Sequence, residues 1–269
     1  MYNNLIRFCV SFFRENPKIT VGISSYNHSQ YLKQCIDSVL NQKYKNFDII
    51  IIDDCSKDKR NQKILRKYEK NPKITIIYKE KNEGISSSLN DQIANMKGDW
   101  LAFVDCDDFL PDNALKEMSK CIKKNPKYRL IYSNRIEVGE DGKEIRKLYF
   151  GHRMKKGIFE ELLKGMTSSH LKIIHKDVFD KVGIFYSKFD GVQDYDMYLR
   201  IAFYMPETLG FINKFLYYHR IHNNQYTIAK ANIHKKNVDM VINNAKFRKK
   251  MSKLCNRDNF DFKKNICGF

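Results

Sequence analysis

Apolar and polar positions along this chain fall into two alternating rhythms. Ile19-Thr20-Val21-Gly22-Ile23 is a short β-branched run, and the stretch after it sets Leu32, Cys35, Ile36, Val39 and Leu40 at helical spacing. Phe47-Asp48-Ile49-Ile50-Ile51-Ile52 is almost continuously apolar, as a strand covered on both faces is. The pattern then predicts a helix over 59–70, a strand over 74–78, a helix over 85–96, a strand over 100–104 and a helix over 114–124. Strands alternating with helices in this way predict a mainly parallel sheet with helices on both faces.

Past residue 128 the rhythm changes. A strand over 128–138, a turn at Glu140-Asp141-Gly142-Lys143 and a second strand over 145–150 predict a hairpin. A strand over 171–174 follows, then a helix ending near Gly183, a helix over 194–203 with an acidic first turn, and a strand over 208–218. Residues 230–269 read as helical and then frayed.

In sheets of this kind ligands bind outside the carboxyl ends of the strands. Here those ends read Ser24-Ser25-Tyr26-Asn27, Asp53-Asp54, Asn82-Glu83-Gly84 and Asp105-Cys106-Asp107-Asp108, four polar clusters at four consecutive strand ends. The last is the most informative, because a strand that buries Leu101, Phe103 and Val104 then releases three carboxylates within four residues. Crowded carboxylates repel unless a cation sits among them, and oxygen-rich clusters suit magnesium or manganese holding a phosphorylated ligand. A solvated turn, or the N-cap of the helix after Pro111, is the plain alternative and fits Asp108.

Composition narrows the picture. A length of 269 residues allows one large domain, or one domain with an extension, and the apolar content suffices for a buried core. The seven cysteines are odd in number and form no C-x-x-C pair, a pattern that suits a reducing compartment. The net charge of +18 invites a nucleic-acid reading, but no nucleic-acid module is present. Lysines outnumber arginines 37 to 12, as codon bias alone can produce. Residues 230–269 hold eleven Lys or Arg against three Asp, which reads as a solvated face or a weak attraction to an anionic membrane surface. Leu5 to Phe13 is apolar but far short of the ~20 residues a membrane span needs. That stretch lacks a cleavage site, so packing against the domain is expected before lying flat on a bilayer. A cytoplasmic protein is expected, with a peripheral place at the inner face of the cell membrane as a further expectation.

The order of these motifs resembles the family 2 inverting glycosyltransferases with the GT-A fold. The resemblance rests on Ser24 to Asn27, Ile52-Asp53-Asp54-Cys55-Ser56-Lys57-Asp58, Asn82-Glu83-Gly84-Ile85-Ser86, Gly98-Asp99-Trp100 through Asp108 with Pro111, and Gln193-Asp194-Tyr195-Asp196 through Arg200. It implies a nucleotide-diphosphate sugar donor, a UDP-sugar first, and a glycan or lipid-linked acceptor in surface polysaccharide assembly. It also implies a division into an apolar extension (1–17), a nucleotide-sugar-binding half (18–127), an acceptor-binding and catalytic half (128–224) and a basic tail (225–269).

By the same resemblance, Ser24, Tyr26 and Asn27 line the base pocket, Asp54 accepts hydrogen bonds from the base, and Asn82 and Gly84 offer helix N–H groups to an anion. Asp105 reaches the ribose or sugar, Asp107 ligates Mn2+ or Mg2+, and His222 completes the metal shell more readily than His219. His170 faces the acceptor side. Asp194 is the general base of an inverting transfer, and Asp196 is structural. Relatives in the family often carry Arg where this chain has Leu89, which shifts the expected phosphate contacts to Arg220 or to lysines. No Gln-x-x-Arg-Trp motif is present, so a single-addition enzyme is expected rather than a processive synthase. Two rivals remain: a catalytically inactive nucleotide- or glycan-binding scaffold, and, with less support, a sugar nucleotidyltransferase.

Overall fold

The computed structural model describes residues 16–151, 157–166, 170–223, 225 and 231–254. The apolar stretch at 5–13 and the parts of the basic tail at 226–230 and 255–269 lie outside the described residues.

The first half follows the predicted alternation. Strands β1 (Ile19–Ser25), β2 (Phe47–Asp53), β3 (Ile74–Tyr78) and β4 (Trp100–Asp105) alternate with helices α1 (Ser29–Leu40), α2 (Lys59–Leu65), α3 (Ile85–Asn95) and α4 (Ala114–Lys124). All four strands run parallel, in the spatial order β3-β2-β1-β4. β4 shows why both faces are covered. Trp100, Ala102 and Val104 enter one core with Leu32, Ile36 and Val39 of α1 and Met118 of α4, while Leu101 and Phe103 enter a second core with Leu89 of α3. The predicted helix over 59–70 is cut short at Leu65. Beyond it, Lys67 and Tyr68 donate to carbonyls only three residues back, and the Tyr68 hydroxyl is drawn off to Asp37 at 2.7 Å.

The second half extends the same sheet. β5 (Leu130–Val138), β6 (Glu144–Leu148), β7 (Lys172–His175) and β8 (Leu209–Arg220) join it, with α5 (Ile158–Leu162), α6 (Asp177–Val182), α7 (Gln193–Tyr204) and α8 (Ala231–Leu254) packed alongside. β7 pairs antiparallel with both β4 and β5, β6 pairs antiparallel with β5, and β8 lies parallel to β5. The sheet is therefore mixed, with a parallel half that carries the nucleotide-side motifs. Asp196 and Arg200 are both fully buried in α7. Their ion pair at 2.8 Å, with Arg200 capping the carbonyls of Val182, Gly183 and Ile184, gives Asp196 the structural place expected of it.

Strand order reverses between β1 and β4. The chain leaves β1 toward β2 on one side and returns to β4 on the other, which opens a crevice at their carboxyl ends. Register places Ser24 beside Asp105 and Ser25 beside Asp53.

Candidate active site

The crevice widens into a cavity of about 640 Å³. Ser24, Tyr26, Asp54, Asn82, Gly84, Asp105, Asp107 and Asp194 all line it, so eight of the ten residues predicted from sequence face one space. Asn27 and His222 stand beside it. Asn27 takes a left-handed backbone (φ 59°), and its Oδ1 accepts the N–H groups of Lys57 and Asp58 at 2.7 and 3.2 Å. It ties the β1 loop to the β2 loop; its amide oxygen is not turned to a base.

At the second and third strand ends the expected donor-side residues also bond to one another. Asp54 is buried, and its two oxygens accept the N–H groups of Glu83 and Gly84, each at 2.9 Å. The carboxylate clamps the loop before α3, and each oxygen keeps a lone pair beyond the one that the loop engages. The Gly84 N–H, one of those expected to face an anionic ligand, is thereby already bonded. The Ser86 N–H is bonded as well, to Asp190 at 3.2 Å. Two carboxylates thus stand at the start of α3, where the helix dipole favours them. Gly84 sits at φ 89°, and a Cβ there would meet Asp190 Oδ2 at 2.3 Å, so the clamp requires glycine. Asn82 supports the same loop by donating to the Asp54 carbonyl at 3.2 Å.

The acidic knot divides by environment. Asp105 opens onto the cavity with its side chain 46% exposed, and the protein packed around it, with the charges of Asp108 and Asp107, pushes its pKa up to about 7. Asp108 is almost fully buried, accepts the Arg220 N–H at 2.7 Å and lies 3.1 Å from His219 Nδ1. Burial and the neighbouring Asp107 raise its pKa. For His219, burial lowers the pKa, but the charge and hydrogen bond of Asp108 outweigh it and leave the imidazole above its ordinary value. For Asp107, burial raises the pKa, and the hydrogen bond to His222 with the charges of His28 and His222 brings it net below the carboxylate range.

Asp107 Oδ2 lies 2.9 Å from His222 Nε2. His28 completes a group with them, its ring 5.2 Å from that of His222, and one ligand atom from each of the three residues lies within 4.8 Å of the others. Burial, the largest influence on His28, lowers its pKa and favours the neutral imidazole that ligates metal. Two imidazoles and a carboxylate suit manganese better than magnesium, which prefers oxygen alone. These residues fit a divalent cation.

Arg220 does not take up the phosphate role expected in place of the missing arginine. Its guanidinium is buried, donating to the carbonyls of Asp107, Gly139 and Glu140 and to Gln34 Oε1 at 2.6–3.1 Å. Tyr31 and Phe109 cover its faces at 4.4 and 5.4 Å. It braces the metal-side loop from behind.

Across the cavity, Asp194 lies in the first turn of α7 and pairs with Lys172 of β7. The lysine side chain is 5% exposed and the carboxylate 28%, so the buried ammonium holds a carboxylate that still reaches the cavity. Gln193 Oε1 accepts the Gly191 N–H at 2.7 Å and fixes the turn into α7. His170 lines the cavity beside Asp105, with Nε2 3.7 Å from the carboxylate. Burial and Lys172 hold its pKa well below the ordinary value.

Sequence reasoning missed His28, Lys172, Asp190 and Gln225, all of which line the cavity. His28 follows the β1 motif directly and could have been weighed as a ligand. Lys172 reads as one more strand residue, and Asp190 and Gln225 lie in loops without periodicity, so only the tertiary fold brings them in.

A family model described as glycosyl transferase family 2 matches residues 20–183. The hyaluronan synthase of Pasteurella multocida is 28% identical over 261 residues, covering 97% of this chain and 26% of that protein. The chondroitin synthase of Escherichia coli is 27% identical over 227 residues, covering 84% of this chain and 32% of that protein. The chain thus spans about a quarter to a third of these relatives. Among solved structures, Staphylococcus aureus TarS 1–349 in complex with UDP-GlcNAc superposes with a TM-score of 0.63 at 19% identity, over 78% of this chain and 60% of that one. A mannosyltransferase from Pyrobaculum calidifontis in complex with GDP-Man and Mn2+ gives 0.59 at 14% identity, over 85% and 67%. At these identities the likeness establishes the fold.

Proposed function

Because the chain belongs to glycosyl transferase family 2, we propose that it transfers one sugar, with inversion, from a UDP-sugar to a hydroxyl of a glycan or lipid-linked acceptor in surface polysaccharide biosynthesis. The observation that carries this reading is the single cavity in which Asp105 and Asp107 face Asp194 across the β1/β4 crevice. The polysaccharide context is supported by the relatives named hyaluronan and chondroitin synthases, and the uridine donor by the TarS complex with UDP-GlcNAc. We place this activity in the cytoplasm.

Each residue has a part that its surroundings support. Tyr26, 37% exposed at the cavity mouth, offers a ring face to the base. Ser24, whose hydroxyl accepts from Gln92 at 2.9 Å, and Asp105 offer polar contacts to the ribose and sugar. Asp107, His222 and His28 would hold a divalent cation, manganese before magnesium. A cation held there would supply positive charge to offset that of a departing nucleoside diphosphate. Asp194 removes the acceptor hydroxyl's proton while that oxygen attacks opposite the leaving group. Lys172 keeps Asp194 oriented toward the cavity and balances its charge.

The test is donor hydrolysis and transfer with Mn2+, UDP-sugars and acceptor oligosaccharides, in the parent protein and in Asp194→Asn. The reading expects Mn2+-dependent stabilisation by uridine nucleotides in both proteins and turnover in the parent alone. Nucleotide binding without turnover in the parent, across donors and acceptors, would instead favour the inactive scaffold that the leucine at position 89 allows.

A further inference from the structure

At the opposite end of the sheet lies a second cavity, about 550 Å³, that the transfer chemistry does not use. It is formed where the α1–β2 connection meets α4. Six lysines line it: Lys43 and Lys45 from the connection, and Lys116, Lys120, Lys123 and Lys124 from the helix. All six are exposed, and no carboxylate is among the lining residues. The two neighbouring acids neutralise only part of this charge. Asp112 pairs with Lys43 at 2.9 Å, and Glu117 is shared between Lys120 and Lys214 at 2.9 and 2.7 Å. Lys73 adds to the rim by donating to the Lys45 carbonyl at 3.0 Å.

From this groove and its surroundings we infer a docking surface for an anionic lipid bilayer. Its position excludes the donor. β1 starts at the groove and ends in the catalytic cavity, and its seven residues at strand rise separate the two by about 20 Å. The chemistry favours a charged surface over a shaped ligand. Every cation in the lining is a lysine, a flexible, hydrated point charge, and none is an arginine, whose planar fork reads carboxylate or phosphate geometry. Asn16 also lines the groove, its carbonyl accepting from Asn46 at 2.7 Å and its side chain from Lys123 at 3.1 Å. A polybasic surface is drawn to an anionic bilayer by about 1 kcal/mol for each lysine near the headgroups. Docked by this end, the protein turns its catalytic cavity away from the headgroups, toward the growing end of a glycan. That last consequence rests on the transferase reading; the docking does not.

The test is co-sedimentation of the full chain with vesicles, either phosphatidylcholine alone or equimolar phosphatidylcholine and phosphatidylglycerol, at physiological ionic strength. Binding to the anionic vesicles alone is expected. A K116Q/K123Q/K124Q variant should bind on the order of a hundredfold more weakly, about fivefold per lysine. A K235Q/K236Q/K253Q variant, which removes the same charge from α8, should bind like the parent, and thermal unfolding of each variant checks that it is folded. Failure to bind anionic vesicles overturns the inference, as does equal loss in both triple variants, which would mark a response to net charge. Binding to heparin with no vesicle association would assign the groove to an acidic polymer and also overturn it. None of these readouts involves turnover, so failure of the transferase reading would leave them unaffected.

Discussion

Arg220→Lys distinguishes a structural brace from a phosphate ligand. The guanidinium reaches four acceptors on different sides: the carbonyls of Asp107, Gly139 and Glu140 at 2.8, 3.1 and 2.7 Å, and Gln34 Oε1 at 2.6 Å. It is 1% exposed and stacked between two aromatic rings. A lysine keeps the charge but carries all its donors on one atom, so it can satisfy at most the acceptors on one side. Two buried acceptors are then left without their charged donor. At about 1.5–3 kcal/mol for each hydrogen bond to a charged group, less what local rearrangement recovers, the loss should be about 3 kcal/mol. For a domain of this size that lowers Tm by about 6–12 °C. Urea unfolding measures the first quantity and calorimetry the second. Because Arg220 holds the Asp107 backbone, Mn2+ affinity should fall with stability. A variant within about 1 kcal/mol of the parent whose nucleotide affinity alone drops tenfold would refute the bracing argument and return Arg220 to the diphosphate.

Further expectations concern single contacts. Asp194→Asn should lower kcat by about 10²- to 10⁴-fold while leaving nucleotide binding by calorimetry unchanged; equal loss of binding would make Asp194 a donor contact. His28→Ala should weaken Mn2+ about tenfold or more, measured by metal titration of nucleotide-dependent stabilisation, whereas His175→Ala, outside the three-residue group, should not. Gly84→Ala should destabilise by about 1 kcal/mol or more, because the new Cβ meets Asp190 at a positive φ; an unchanged urea midpoint would show that the clamp has slack. Asp54→Asn should loosen the loop before α3, since an amide offers one acceptor oxygen where two N–H groups are bonded. Faster amide exchange at Glu83 and Gly84 would register it, and unaltered exchange would count against the clamp.

Local pattern alone determined the alternation of β1 to β4 with α1 to α4, because burial on both faces writes itself as runs such as Ile49 to Ile52 and as helical spacing such as Leu32, Cys35, Ile36 and Val39. The candidate site was legible to the extent that parallel strands release their polar residues at one edge. Ser24, Asp54, Asp105 and Asp107 could therefore be named together, and the α7 aspartate could be added from its motif. Periodicity carries no information about which polar atom is already engaged. Asp54 and Asn82 line the cavity as expected of donor contacts, and long-range hydrogen bonds also engage them in the loop before α3. Arg220 looked like a free cation, yet carbonyls eighty or more residues away and Gln34 on α1 occupy it. The fold alone decided that His28 stands with Asp107 and His222, that Lys172 secures Asp194, and that six lysines from two separate segments meet in one groove. Those contacts join residues far apart in the chain, and their partners are set by strand order and packing, which no local pattern of side chains encodes.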